Sequence, residues 1–93
     1  MFKYMEKLIY KINSNISWKL LKDKVVAVNT DDGNYYTFNY TSSLIWQWVD
    51  QAKTMEEIVQ LLQEQFPENS DSIPQDVTEI IDYWLSEKLI NKI

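Results

Sequence analysis

The sequence predicts an α+β fold in which a three-stranded antiparallel sheet precedes three helices. Three observations carry that expectation. Up to Asn39 the apolar residues alternate or form β-branched runs; beyond it the period lengthens to that of a helix; two helix-start signatures then follow, at Thr54 and Ser72. Strands grouped ahead of helices are the order of an α+β domain.

The strands come first. Ile16-Ser17-Trp18-Lys19-Leu20 alternates apolar and polar residues, as a half-buried strand does. Val25-Val26-Ala27-Val28 is a β-branched run, and Tyr35-Tyr36-Thr37-Phe38 is its return strand. Between them, Thr30-Asp31-Asp32-Gly33-Asn34 is a turn, with Gly33 supplying the positive φ that a hairpin needs. A three-residue loop ending at Gly33 puts Val26 and Val28 on one face with Tyr36 and Phe38. Asn34 then closes the loop against the second strand. By alternation, Tyr36 and Phe38 bond inward to that strand, while Tyr35 and Thr37 aim their backbone groups at the open edge.

Asn39 or Thr41 can cap the first helix, which carries Leu44, Ile45, Trp46, Trp48 and Val49 around more than half its circumference and is expected to be largely buried. Thr54-Met55-Glu56-Glu57 is a capping box, and the helix it opens aligns Met55, Ile58, Val59, Leu62 and Phe66 before Pro67 stops it. A polar connector leads to a second box, with Ser72 as cap, Pro74 in the first turn and Gln75 closing it. The third helix aligns Val77, Ile80, Ile81, Trp84 and Leu85. Leu89 to Ile93 is a short terminal segment folded back on the core.

Ninety-three residues make one domain, 1–93, able to bury about 60–65% of its unfolded surface. The chain has no Cys and no His. Disulfides, thiolate chemistry, the usual neutral-pH base and the commonest metal ligand are therefore all missing, and neither an enzyme nor a cofactor is expected. Carboxylates such as Glu56/Glu57, Glu64/Glu68 and Asp76/Glu79/Asp82 have the spacing of a solvated helix face rather than of paired acid–base groups or a hard-metal site. Residues 1–49 hold six Lys against four acids, and residues 50–93 three Lys against ten. That acidic second half argues against nucleic acid as a partner. The first residues break their apolar character too often for a signal peptide, and nothing approaches a membrane span, so a cytoplasmic protein without a membrane partner is expected. Asn15-Ile16-Ser17 and Asn39-Tyr40-Thr41 match the glycosylation triplet, which has no role without secretion.

In order and spacing these segments resemble the PqqD-like family, the precursor-peptide recognition elements of ribosomally made, modified peptides. Tyr36-x-Phe38-Asn39 is similar to the family's aromatic-x-Leu-Asn phrase, followed by the small residues Thr41, Ser42 and Ser43 and then Ile45-Trp46. Thr54-x-Glu56-Glu57-Ile58-Val59 resembles its helix opening. Asp76-Val77, Ile80-Ile81 and Trp84 resemble its third helix, and Leu89-Ile90 its closing phrase. The likeness runs from about Trp18 to Ile90 and leaves residues 1–15 outside it. Lys88 stands where the family has Gly, and Asp50-Gln51-Ala52-Lys53 lacks the usual Gly.

The resemblance implies a winged-helix-like fold that binds a precursor's leader as a strand added beside the third strand, against the third helix. Such β-augmentation takes affinity from the main chain and selectivity from pockets. The strand residues it implicates are Asn34, Tyr35, Tyr36, Thr37 and Phe38, with Tyr36 and Phe38 also expected in the core. On the helix it implicates Asp76, Val77, Ile80, Tyr83 and Trp84, Val77 being first a core position. The implied partner is a modifying enzyme. A lasso-peptide leader protease is favoured over a radical enzyme of the pyrroloquinoline quinone type. The reading of another class, a winged-helix DNA-binding regulator, is opposed by Asp76, Glu79, Asp82 and Glu87 on the helix that would enter a groove.

Overall fold

The structure, a computed structural model, describes residues 8–93. Its elements are β1 (Tyr10–Ile12), β2 (Ile16–Leu21), β3 (Lys24–Asn29), β4 (Tyr35–Thr37), α1 (Tyr40–Asp50), α2 (Met55–Gln65), α3 (Ile73–Ser86) and β5 (Ile90–Lys92), with one 3-10 turn at Pro67–Asn69. β2, β3 and β4 form the expected antiparallel sheet in that order, and three helices follow.

A second, two-stranded sheet was not expected. β1 pairs antiparallel with β5, Tyr10 opposite Lys92 and Ile12 opposite Ile90. Residues 10–12 thus belong to the fold, although the family resemblance leaves them out. Tyr10 is buried with the core, and Ile90 is almost wholly buried. The pair ties the C-terminal segment down where a short strand alone would fray.

The β3–β4 loop is longer than expected. It spans Thr30 to Gly33 and closes at Asn29 and Asn34, whose N–H to carbonyl bond is 2.8 Å. Thr30 is drawn out of the ladder because its amide and hydroxyl both donate to the carbonyl of Asn15, at 2.9 and 3.0 Å. Asn29 and Asp32 brace the loop by accepting from the amides of Asp31 and Asn34, and Gly33 takes φ +79°. The extra residue exchanges the faces of β3. Val25 and Ala27, both fully buried, share the core face with Phe38, and Val26 and Val28 lie on the outer face instead. The expected grouping of Val26 and Val28 with Tyr36 and Phe38 is therefore corrected.

Helix starts divide into two kinds. Asn39 caps α1, its Oδ1 accepting from the Ser42 amide at 2.8 Å. Thr54 and Glu57 form the reciprocal box on α2, at 3.1 and 2.8 Å; the same bond from the Thr54 backbone holds the Glu57 carboxyl below its ordinary pKa. Ser72 does not cap α3. Its backbone is already helical (φ −90°, ψ −16°), continuing from the 3-10 turn, and its hydroxyl donates to the Asn69 carbonyl at 3.1 Å. A cap needs an extended backbone to bring its side chain to the amides, so Gln75 closes no box and reaches Glu79 instead.

The core gathers Trp46, Ile45 and Val49 from α1, Ile58 and Leu62 from α2, and Val77, Ile81 and Trp84 from α3 against Val25, Ala27 and Phe38. Phe38, Trp46 and Trp84 pack with ring centroids 5.1–5.2 Å apart, Trp46 edge-on to Trp84. Contacts of this kind add to the large area that aromatic side chains bury. Trp46 Nε1 has no hydrogen-bond partner among the described residues.

Candidate functional site

β4 is an edge strand, and its ladder fixes which backbone groups are free. Asn29 bonds to Asn34, and the Phe38 amide donates to the Val25 carbonyl at 2.9 Å. With Ala27 opposite Tyr36, alternation makes Asn34, Tyr36 and Phe38 the inward-bonding residues of the strand. Tyr35 and Thr37 therefore turn their N–H and C=O groups to the open edge. The longer loop alters the partners on β3 but leaves this parity on β4 as expected.

Ser43 ends the strand. Its hydroxyl is fully buried, accepts from the Val25 amide at 2.8 Å and faces the Phe38 carbonyl at 3.4 Å. It thus stands in the ladder where those two groups would otherwise meet. The chain leaves the sheet there and enters α1, which brings Asn39 and Ser42 beside the open edge.

α3 lies across from that edge, and between them is a groove of about 500 Å³. Tyr36, Thr37 and Phe38 line it from the strand side; Asp76, Ile80, Tyr83 and Trp84 line it from the helix side. Seven of the ten residues singled out from the sequence meet here. The other three do not line the groove: Asn34 sits exposed at the loop, Tyr35 faces the outer side of the sheet and is 69% exposed, and Val77 is wholly buried in the core. Asn39, Ser42 and Glu79 line the groove and were not anticipated there. Glu79 was findable, since it falls three residues after Asp76 and four before Tyr83 on one helix face. Asn39 and Ser42 carried only the signal of a cap.

Trp84 and Phe38 are almost completely buried yet form the groove's floor. Tyr36 spans it at one end, its hydroxyl donating to Glu87 Oε1 at 3.2 Å. The Tyr36 phenol is raised above its ordinary pKa by desolvation, then by the bond to Glu87 and the negative charges of Glu87 and Asp32. Among the described residues no cluster of three or more His, Cys, Asp or Glu is arranged to hold a metal. No described helix is long and apolar enough to cross a membrane.

An unpaired strand edge thus lies beside an apolar-floored groove. The family model described as coenzyme PQQ synthesis protein D (PqqD) matches residues 24–90. The chain belongs to the PqqD family. The match takes in β3, β4 and the three helices and stops before the pairing of β1 with β5 is complete. No curated protein matches this PqqD-family chain. Two solved structures share its fold. TbiB1 in complex with the TbiA(beta) leader peptide superposes with a TM-score of 0.82 and 21% identity, covering 87% of this chain and 94% of that one. A lasso peptide synthetase B1 complexed with the leader peptide gives a TM-score of 0.80 and 16% identity, covering 88% and 96%.

Proposed function

We propose that this PqqD-family protein binds the leader of a ribosomally made precursor peptide as a strand added to β4, in the groove against α3, and holds it for a modifying enzyme. The observation that carries this reading is the open edge at Tyr35 and Thr37 beside the groove. Main-chain bonds to those residues supply sequence-independent affinity, and the floor of Phe38, Trp84 and Ile80 takes alternate side chains. Both of these solved structures of the same fold are leader-peptide complexes, and one of them is a lasso peptide synthetase B1. This favours a lasso-peptide leader protease as the enzyme served, ahead of a radical enzyme of the pyrroloquinoline quinone type. The protein works in the cytoplasm, where precursors are made.

Its contribution to the chemistry is presentation. A chain without His or Cys lacks the commonest neutral-pH base and the thiolate nucleophile, whereas a tethered, extended precursor gains local concentration and orientation at the enzyme. Calorimetry with the separate leader and core halves of its precursor peptide tests the reading. The leader half is expected to bind between micromolar and nanomolar, about 8–12 kcal/mol. Binding to the core half alone overturns it.

A further inference from the structure

α3 turns one stripe to the groove. Asp76, Glu79, Ile80, Tyr83 and Glu87 fall at i, i+3, i+4, i+7 and i+11, a single face of a helix. The chemistry changes along it. Ile80, with Phe38 and Trp84 beneath, gives an apolar middle, and Asp76 and Glu79 line the groove together with Asn39 and Ser42. At the far end stands Glu87, bonded to Tyr36.

Among the described residues the two carboxylates bond to neutral side chains: Ser72 Oγ lies 3.3 Å from Asp76, and Gln75 Nε2 lies 3.1 Å from Glu79. Among the described residues, none lining the groove is a lysine. At the opposite end the Tyr36 phenol is raised above its ordinary pKa first by desolvation and then by its bond to Glu87 and the negative charges of Glu87 and Asp32.

Strand addition sets the spacing of whatever lies there. Peptide residues that exchange bonds with Tyr35 and Thr37 share the outer face with them. Those opposite Tyr36 and Phe38 face the groove, two residues and about 6.8 Å apart. We infer that the peptide segment this groove accepts carries an apolar anchor and a Lys or Arg two residues from it, the anchor over Ile80, Phe38 and Trp84 and the cation against Asp76 and Glu79. The inference rests on the added-strand reading and narrows it to a class of leader. An acidic residue at the second position is repelled, so the groove selects by charge as well as by shape.

The test is a selection of displayed random 12-residue peptides on the intact protein, repeated on Asp76→Asn/Glu79→Gln and on Thr37→Pro. The wild-type protein is expected to enrich peptides with Lys or Arg two residues from an aliphatic or aromatic residue. The double variant should lose the cation but keep the anchor, and a wild-type consensus peptide should bind it roughly ten-fold more weakly at low salt. Thr37→Pro should enrich nothing. If Thr37→Pro abolishes enrichment while the double variant keeps the cation preference, the charge inference falls and strand addition stands. If folded Thr37→Pro enriches the same peptides as wild type, strand addition itself falls. A wild-type consensus with no cation, or no consensus at all, also overturns the inference.

Discussion

Thr37 and Tyr36 are neighbours whose backbone groups point to opposite sides of one strand, and proline separates their roles. Thr37→Pro removes an outward amide and spares the ladder to β3, so it should melt within a few degrees of wild type and lose leader binding. Tyr36→Pro removes an amide that bonds to Ala27 and should strongly destabilise the domain. Thermal melts paired with leader titrations distinguish the two; a stable Tyr36→Pro protein would contradict the ladder described here. Ser43 offers a second test at this scale. Ser43→Ala leaves the buried Val25 amide without its acceptor and should cost about 1–3 kcal/mol in urea unfolding, although the residue touches no ligand. A loss well under that range would mean that Val25 and Phe38 close the ladder directly once the hydroxyl is gone.

At the scale of elements, legibility followed the strength of the local signal. The box at Thr54 was readable because an extended Thr three residues before Glu has few other uses. The similar phrase at Ser72 misled because a preceding 3-10 turn fixes its backbone, and that turn depends on Pro67 and Asn69 rather than on the phrase itself. Thr54→Ala should therefore destabilise the protein by about 1 kcal/mol, and Ser72→Ala by clearly less. Equal losses in chemical denaturation would restore Ser72 as a cap. The β3 register was beyond local reading: Val25 to Val28 are apolar on both faces, so only Thr30 reaching to Asn15, a contact across the sheet, selects between them. The groove was legible on its two long walls, where strand and helix periodicity mark a face. Its end at Asn39 and Ser42 was not, since a cap and a groove residue look alike in sequence.

The molecule as a whole is closed by β1 and β5, which no short phrase announces: three residues near one end pair with three near the other. Tyr10 anchors this closure, and its phenol is raised above its ordinary pKa by burial and then by the charge of Asp82. A raised value in the folded state means that the neutral ring is the stabilised form. Its contribution is complete below the ordinary tyrosine pKa of about 10 and is lost as pH rises through the higher folded value. Melting temperature should accordingly fall on the alkaline side, and Tyr10→Phe should flatten part of that fall, leaving the part that belongs to Tyr36. Identical alkaline limbs in variant and wild type would show that Tyr10 plays no such part. The stack of Phe38, Trp46 and Trp84 has a practical consequence as well. Trp84 is at once part of the floor of the groove and, with its centroid 5.1 Å from that of Trp46 and the rings at 90°, paired with an indole close enough to couple their electronic transitions, Trp18 adding a third 6.2 Å from Trp46. A side chain seated on that floor changes the surroundings of one member of the group. Occupancy of the groove is thereby written into the protein's own near-ultraviolet dichroism and emission, with no label attached.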